Sequence, residues 1–258
     1  MKAGSDTTFR RVWKPYAAFG QNVVSDPTFL NIVGILLAAG KGERFGGDKL
    51  LAKLGSELAE LGSDSNFDPV PAPAFLSGRK VESDPNSANS ADSVGVAACR
   101  HLLAAVPTVV AVVRPDDTAL AAALAAVGAR VVRCARADDG MGASLACGAQ
   151  ASNEADGWVV ALADMPWIRP ETIAHVAAAI AGGAVIAAPF HRGARGHPVG
   201  FGRTCGAALA ALTADEGAKA IVAAHREALV RIDVDDPGIL RDVDAQGDLC
   251  GPLPGSRR

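Results

Sequence analysis

Apolar residues along the chain fall into short unbroken runs that alternate with stretches of helical spacing. The runs at 32–38, 108–113 and 157–163 are almost entirely apolar, which is typical of strands buried on both faces of a sheet. Shorter runs predict four further strands, at 129–134, 184–188, 197–201 and 228–234. Helical spacing predicts helices at 94–106, 117–128, 142–152, 170–181, 205–212 and 216–226.

Residues at the predicted helix ends support two of these helices. Asp117 stands at the expected N-cap of the helix 117–128, and Gly128 stands at its end. Pro170 suits the first turn of the predicted helix 170–181, because the N–H that proline lacks has no partner in a first turn. The alternation of strands and helices predicts an α/β fold with three αβα layers, Rossmann-like, around a mostly parallel sheet of about seven strands.

Two stretches lack this periodicity. Residues 1–30 hold scattered aromatics between polar residues and prolines, so we expect an N-terminal extension that is either disordered or docked through those aromatics. Residues 55–92 are rich in Ser, Asp, Asn and Pro, which is typical of a disordered insertion, with a functional lid as the alternative. We expect one domain over 31–250, interrupted by this insertion and followed by a tail at 251–258.

Composition narrows the classes of protein to consider. The chain has 258 residues, 49% of them hydrophobic, so it can bury a core without disulfide or metal staples. The formal net charge is -3 and the 25 basic residues are scattered, unlike the basic stripe of a nucleic-acid-binding protein. The sequence has no apolar run of 18 residues and no recognisable secretory signal, so we expect a cytoplasmic protein without membrane contact. The five cysteines form no C-x-x-C pair and are expected to be buried thiols.

Candidate chemistry begins where the first predicted strand ends. The segment 34–54 reads GILLAAGKGERFGGDKLLAKL, with a glycine-rich loop between positions 40 and 47. Three cations accompany these glycines: Lys41, Arg44 and Lys49. Glycines let backbone amides approach a polyphosphate closely, and the cations would add charge-assisted hydrogen bonds. Ligands of open α/β sheets usually bind at this carboxyl edge.

This loop departs from both common phosphate-binding fingerprints. A Walker A motif requires Lys after its second glycine, but Asp48 follows Gly47 here. A dinucleotide-binding loop requires glycine where the chain has Phe45. From the residues alone, a nucleotide-binding loop and a plain glycine-rich turn both remain open.

The loop does resemble the signature of the MobA-like nucleotidyltransferases, L-A-[AG]-G-x-S-x-R-[MF]-G-x-x-K. The residues in register are Leu37, Ala38, Ala39, Gly40, Arg44, Phe45, Gly46 and Lys49, and Gly42 stands where the family has Ser. The resemblance implies a nucleotidyltransferase fold in which this loop binds a nucleoside triphosphate. The nucleotide-binding residues it implies here are Leu37, Ala38, Ala39, Gly40, Lys41, Gly42, Arg44 and Lys49.

Aspartates in two other segments resemble the metal site of that family. Asp164 lies in L-A-D-M-P after the buried run 157–163, and by chemistry alone it suits a metal ligand and a structural aspartate in a turn or helix cap equally. L-A-D-M-P resembles the metal-binding motif of the family, which favours the metal ligand. Asp242 and Asp244 align with the acidic pair of the family's closing segment, although residues 245–247 replace its Thr-Pro-Glu. The resemblance implies Mg²⁺, or alternatively Mn²⁺, on Asp164, with Asp242 as the preferred second ligand and Asp244 as the next.

Three further motifs resemble the family. Ser144, in GMGASL, is expected to contact the nucleotide, although helix capping would also explain it. His197, in GHPVGF, and Lys219, in DEGAK, are expected at the acceptor site, although a structural histidine and a surface lysine are the commoner cases. The resemblance covers residues 32–250 apart from the insertion.

The activity that the resemblance implies is nucleotidyl transfer. An acceptor phosphate oxygen would attack the α-phosphorus of the triphosphate, and pyrophosphate would leave, with Lys49, Arg44 and Asp164 as the catalytic groups and no protein nucleophile. The L-A-A-G form of the loop resembles the molybdenum cofactor cytidylyltransferase (MocA-like) branch. It therefore implies CTP as the donor, molybdopterin or its molybdenum-loaded form as the acceptor, and a molybdoenzyme or its chaperone as a partner.

Three alternatives stay open. A sugar- or alditol-phosphate nucleotidyltransferase would share both fold and loop. A catalytically inactive nucleotide-binding protein is suggested by the altered residues 245–247. A dinucleotide-binding oxidoreductase is disfavoured by Phe45 and by the motif around Asp164.

Overall fold

The computed structural model describes residues 30–40, 42, 45, 47–54, 92–213 and 217–250. Within these ranges the strands are β1 (Ile32–Leu37), β2 (Thr108–Val113), β3 (Arg130–Arg133), β4 (Gly157–Leu162), β5 (Ile186–His191), β6 (Ala194–Arg195), β7 (Val199–Gly202) and β8 (Leu229–Asp233). The helices are α1 (Val94–Ala105), α2 (Thr118–Ala126), α3 (Met141–Ala151), α4 (Pro170–Ala181), α5 (Gly206–Ala210) and α6 (Lys219–Ala224).

The strands form one mixed sheet in the order β3-β2-β1-β4-β7-β5-β6, with β8 also paired to β5. The pairs β3/β2, β2/β1, β1/β4 and β5/β8 are parallel, whereas β7 runs antiparallel to β4 and β5. The predicted α/β fold with a mostly parallel sheet is therefore confirmed. The described residues contain one strand more than the seven predicted, because the two exposed residues of β6 have no apolar run to reveal them.

Helices cover both faces of this sheet. Helices α1, α2 and α4 pack on one face, and α3, α5 and α6 pack on the other. Along β1, Ile32 and Leu36 belong to the first core, whereas Val33 and Ile35 belong to the second. Because both faces are buried, the strand appears in the sequence as a continuous apolar run. The three predicted layers are confirmed.

The residues predicted at helix ends occupy those positions. The Asp117 carboxylate accepts a hydrogen bond from Leu120 N at 3.1 Å and caps α2, and Gly128 beyond its end has a φ of 100°. Pro170 is the first residue of α4. Helix α5 is shorter than predicted because the preceding residues, Arg203–Cys205, form a separate 3-10 helix.

The carboxyl ends of β1 and β4 lie side by side. Leu37 pairs with Leu162, and Ala163 N donates to Leu37 O at 3.0 Å. Ala38 N donates to Val112 O at 2.9 Å, which joins β2 to the same edge. The segments that follow β1, β2 and β4 therefore leave the sheet close together.

The residues that flank the predicted insertion meet each other. Lys53 and Ser93 form an antiparallel bridge, and Leu54 N donates to Asp92 O at 3.0 Å. The predictions for the N-terminal extension, most of the insertion and the tail concern segments outside the described residues: 1–29, 55–91 and 251–258.

Two expectations from composition concern the membrane and the thiols. No helix in the described part of the chain is long and apolar enough to cross a bilayer. Cys99, Cys134 and Cys205 are free and buried, as predicted, and Cys147 is free and half-buried.

Candidate active site

The chain leaves β1 through a turn that requires a glycine. Gly42 has a φ of 57°, in the left-handed region, and a Cβ at this position would lie 3.3 Å from Lys49 Cβ. Phe45 N donates to Gly42 O at 2.9 Å, and the Phe45 ring is buried in the core. This backbone conformation favours glycine at position 42, where the resembled sequence pattern usually has serine.

The same loop carries Lys49 back to the edge of the sheet. Lys49 N donates to Gly47 O at 3.0 Å, and Lys49 begins a short 3-10 helix whose Leu50 is buried. The Lys49 side chain is only 13% exposed. An ammonium group with so little water around it needs an anionic partner.

Asp164 supplies that partner. Lys49 Nζ lies 2.9 Å from Asp164 Oδ2, although 115 residues separate the two in sequence. Asp164 lies two residues beyond the end of β4, so the pair forms because β1 and β4 are neighbouring parallel strands. The Asp164 side chain is 26% exposed, which leaves it accessible to a ligand. Asp164 does not cap α4, since the N-cap of that helix is Arg169.

The segment that follows β8 brings two more carboxylates to this edge. The buried residue Val243 donates its N–H to Asp164 O at 2.8 Å, so its neighbours Asp242 and Asp244 lie beside Asp164. Asp244 Oδ1 is 3.7 Å from Lys49 Nζ. In the described part of the chain, no three His, Cys, Asp or Glu side chains are arranged as a preformed metal cluster.

Negative charge accumulates around Asp242. Loss of hydration raises the pKa of Asp242 above its ordinary value, and the charges of Asp244 and Asp164 add to the rise, whereas Lys49 opposes it. The three carboxylates exceed the charge of Lys49. Such an arrangement of oxygen ligands favours a bound cation.

His197 lies near Asp164, two residues before β7. Burial lowers the pKa of His197, the charge of Arg195 lowers it further, and the charge of Asp164 works in the opposite direction. His197 Nδ1 is buried and has no hydrogen-bond partner in the structure described, whereas His197 N donates to Ile239 O at 3.0 Å. A neutral imidazole with an unbonded ring nitrogen can exchange a hydrogen bond with a ligand.

Ser144 does not cap α3. The N-cap is Gly140, with a φ of 117°, and Ser144 is the fourth residue of the helix. The Ser144 side chain is buried, and its Oγ donates to Gly140 O at 3.4 Å. The capping alternative is therefore wrong, because Ser144 lies inside the helix and Gly140 holds the N-cap position. Contact between Ser144 and a nucleotide stays a prediction.

Lys219 is exposed at the first position of α6. A Cβ on Gly217 would lie 3.6 Å from Met141 Sδ, so the chain just before α6 lies against the start of α3. Lys219 therefore lies near the start of α3. Its predicted contact with the acceptor stays a prediction.

The remaining predicted residues lie in or beside the loop after β1. Leu37 ends the strand, Ala38 and Ala39 are buried, and Gly40 is exposed with open space around it. Lys41 and Arg44 lie outside the described residues, so their predicted phosphate contacts stay predictions.

Sequence reasoning missed two residues, Asp248 and Arg241. Asp248 Oδ2 accepts hydrogen bonds from Asp244 N at 2.9 Å and from Ala245 N at 2.7 Å. The Arg241 guanidinium lies 3.7 Å from the centre of the Trp167 ring. Local spacing could have indicated Asp248, because Asp side chains often bond nearby backbone amides. The contact with Trp167 has no local signal.

Comparison with protein families gives one match. The model of the MobA-like NTP transferase domain matches residues 91–229, which is more than half of the chain. The match leaves out the glycine-rich loop after β1 and the segment with Asp242 and Asp244. No curated protein sequence matches the chain.

Many solved structures resemble the fold, among them the following three. Rv0371c of Mycobacterium tuberculosis, in complex with manganese, is 22% identical over 85% of this chain and 96% of its own, with a TM-score of 0.58. A nucleotidyl transferase from Methanothermobacter is 22% identical over 84% of this chain and 94% of its own, with a TM-score of 0.58. CMP:2-keto-3-deoxy-manno-octonic acid synthetase in complex with CTP is 14% identical over 85% and 95%, with a TM-score of 0.57.

Proposed function

Since the chain belongs to the MobA-like NTP transferase family, we propose that it transfers a nucleoside monophosphate from a triphosphate to a phosphorylated acceptor and releases pyrophosphate. The observation that carries this proposal is the pair formed by Lys49 and Asp164, 2.9 Å apart at the shared edge of β1 and β4. Lys49 can bind a phosphate and Asp164 can bind a cation, and both groups are needed where a triphosphate reacts.

The donor atoms at this edge fit a hard divalent cation. Asp164, Asp242 and Asp244 offer carboxylate oxygens, which Mg²⁺ and Mn²⁺ prefer. Loss of hydration raises the pKa of Asp242, and the charges of Asp244 and Asp164 add to that rise. We propose Asp164 and Asp242 as ligands, with Asp244 as the alternative second ligand. When bound, the cation would neutralise phosphate charge and polarise the reacting phosphoryl group.

The residues of the chain would act by positioning and by electrostatics. On triphosphate binding, Lys49 exchanges the Asp164 carboxylate for a phosphate oxygen and stabilises the charge that develops on the α-phosphoryl group. Arg44 would hold the β- or γ-phosphate, and the backbone of residues 37–42 would approach the nucleotide.

The chemical step forms one bond and breaks one. An oxygen of the acceptor phosphate attacks the α-phosphorus in line, and the bond from that phosphorus to the bridging oxygen of the β-phosphate breaks. Pyrophosphate leaves with the electron pair of this bond. The chain has to hold the two substrates in line, and His197 and Lys219 are the residues proposed to hold the acceptor.

We further propose CTP as the donor and molybdopterin, or its molybdenum-loaded form, as the acceptor. The L-A-A-G sequence at residues 37–40 supports CTP, because it resembles the cytidylyltransferase branch and because Ala39 is the position that differs between the branches. The binding of CTP by the octonic acid synthetase, which has a similar fold, is compatible with this choice. The product would pass to a molybdoenzyme or its chaperone.

Product analysis tests the proposal. The protein is incubated with Mg²⁺, CTP or GTP, and either molybdenum cofactor or a panel of sugar and alditol phosphates, and pyrophosphate and product mass are measured. We expect pyrophosphate and the mass of molybdopterin cytosine dinucleotide from CTP. Tighter binding of GTP than of CTP in calorimetry would overturn the choice of donor.

Two other outcomes identify the alternatives. A product from a sugar or alditol phosphate, but none from molybdenum cofactor, would replace the proposed acceptor. Normal triphosphate binding without pyrophosphate release from any acceptor would identify an inactive nucleotide-binding protein.

A further inference from the structure

We propose that Asp248 is a positioning residue of the metal site, which with Arg241 holds the backbone that carries Asp242 and Asp244 in its cation-binding conformation. The inference rests on the proposed function, because it concerns the same site. It assigns a role to a carboxylate that would contact neither the cation nor the substrates.

The hydrogen bonds of Asp248 fix the turn that follows Val243. One oxygen, Oδ2, accepts from Asp244 N at 2.9 Å and from Ala245 N at 2.7 Å, and Asp248 N donates back to Ala245 O at 3.0 Å. These three hydrogen bonds close the turn between Asp244 and Asp248, so the backbone there is held firmly.

Arg241 connects the turn to the segment of Asp164. Arg241 Nη2 donates to Asp248 O at 2.9 Å, and the same guanidinium stacks 3.7 Å from the ring of the buried Trp167. Trp167 lies three residues after Asp164. The stack therefore ties the two segments that bear the proposed ligands.

Together these contacts hold the carboxylate pair on both sides. Between the two aspartates, Val243 N donates a hydrogen bond to Asp164 O. Arg241 directly precedes Asp242, and the Asp248 carboxylate accepts a hydrogen bond from the amide of Asp244. Residues that orient metal ligands in this way typically change metal affinity about 10–100-fold when removed.

Alanine and asparagine at position 248 distinguish a positioning role from direct ligation. Asparagine keeps an oxygen that can accept from the two amides but loses the negative charge that a metal ligand needs. Glu154→Ala is the matched control, because Glu154 is an exposed carboxylate in the loop before β4, at the opposite edge of the sheet.

The experiment measures two properties of the full chain. Hydrogen–deuterium exchange of the metal-free protein reports the Asp244 and Ala245 amides, and electron paramagnetic resonance reports Mn²⁺ affinity. For Asp248→Ala we expect exchange at these amides to rise about tenfold or more and Mn²⁺ affinity to fall about 10–100-fold. For Asp248→Asn we expect both within about threefold of the wild type, since the acceptor oxygen remains.

Several results would overturn the proposal. Unchanged exchange and affinity in Asp248→Ala would do so, and so would an Asp248→Asn variant as weak in Mn²⁺ binding as Asp248→Ala, because charge would then be the requirement. If Asp248→Ala does not fold, Arg241→Gln decides: a fall of about 3–10-fold in Mn²⁺ affinity supports the proposal, and wild-type affinity refutes it.

The Asp164→Ala variant separates this inference from the proposed function. Wild-type protein that binds Mn²⁺ no better than Asp164→Ala would refute the metal site and this inference with it. Asp164-dependent Mn²⁺ binding that also depends on Asp248, without nucleotidyl transfer to any acceptor, would support the inference and refute the activity.

Discussion

Asp236 and Asp164 both follow strands of the same sheet, yet their carboxylates are satisfied in different ways. Asp236 is 2% exposed, and its oxygens accept from groups of the chain itself. These donors are Arg169 N at 3.0 Å, Thr172 Oγ1 at 2.7 Å and Gly238 N at 3.0 Å. The Asp164 side chain is 26% exposed and pairs with the Lys49 side chain.

The difference separates a structural carboxylate from an available one. Backbone amides and a buried hydroxyl cannot leave Asp236 without unfolding part of the chain, so its hydrogen-bonding capacity is used by the fold. The ammonium of Lys49 sits on a four-carbon stem and can move to another anion. Asp164 can therefore exchange its partner when a ligand arrives.

The largest effect expected from this comparison is on turnover. Asp164→Ala should lower kcat/KM for pyrophosphate release about 10³-fold, or roughly 4 kcal/mol, because the cation and Lys49 both lose their partner. Denaturant unfolding should change little, because Asp244 Oδ1, 3.7 Å from Lys49 Nζ, remains as an anionic partner. Glu154→Ala should leave both measurements unchanged. Wild-type turnover in Asp164→Ala would refute its assigned role.

The reverse pattern is expected at Asp236. Asp236→Ala should lower the free energy of unfolding by about 3 kcal/mol, because buried donors lose their acceptor. Activity per folded molecule should stay near that of the wild type, measured at a temperature well below the unfolding transition. A loss of turnover without a loss of stability would show that the two aspartates do not differ as described.

The pH dependence of stability tests the burial of His101, which lies close enough to Asp236 to feel its charge. Burial lowers the pKa of His101 despite a backbone hydrogen bond with Ile168 and the charges of Glu171 and Asp236. Below the ordinary histidine pKa of 6.5, the unfolded chain therefore binds more protons than the folded one. Stability present above that pH is lost as the pH falls.

His101→Gln should reduce this loss. The free energy of unfolding of this variant, measured with denaturant between pH 6.5 and pH 5, should fall less steeply as the pH decreases. The slope should be smaller than that of the wild type by up to about 1.4 kcal/mol per pH unit. His175 and His197, whose pKa values burial also lowers, should supply the slope that remains. An unchanged slope would mean that His101 titrates equally in both states.

The smallest effect is expected at Lys219, which is exposed at the start of α6. Lys219→Ala should raise KM for the acceptor about threefold and leave kcat unchanged, because an exposed cation contributes less than about 1 kcal/mol to an ion pair. Steady-state kinetics with varied acceptor measure this. A fall in kcat of the size seen for Asp164→Ala would place Lys219 among the catalytic groups instead.

The layers of the fold could be predicted because strands buried on both faces appear as apolar runs. The runs at 32–38 and 157–163 match β1 and β4 almost to the residue. Periodicity also placed Lys49 and Asp164 after strand ends. Two positions after buried strands predicted a shared carboxyl edge, but that β1 and β4 are direct neighbours follows from pairing between distant segments, which the hydrophobic pattern does not specify.

Other features depend on contacts that leave no local trace. The role of Asp236 is fixed by Arg169 and Thr172, more than 60 residues away. The burial of Ser144 follows from the packing of α3 on the sheet. Neither the hydrophobic pattern nor a motif specifies such contacts.

The bridge between Lys53 and Ser93 pairs the two chain segments that flank the insertion. Because these flanking segments are paired, lengthening the insertion between them costs little free energy, about 0.6 kcal/mol for each doubling of its length. The distance from Lys49 to α1 is then independent of how many residues the insertion holds. The family match includes Asp92 and Ser93, which contact Leu54 and Lys53, so the end of the glycine-rich segment is distant from the start of the match in sequence and adjacent to it in space.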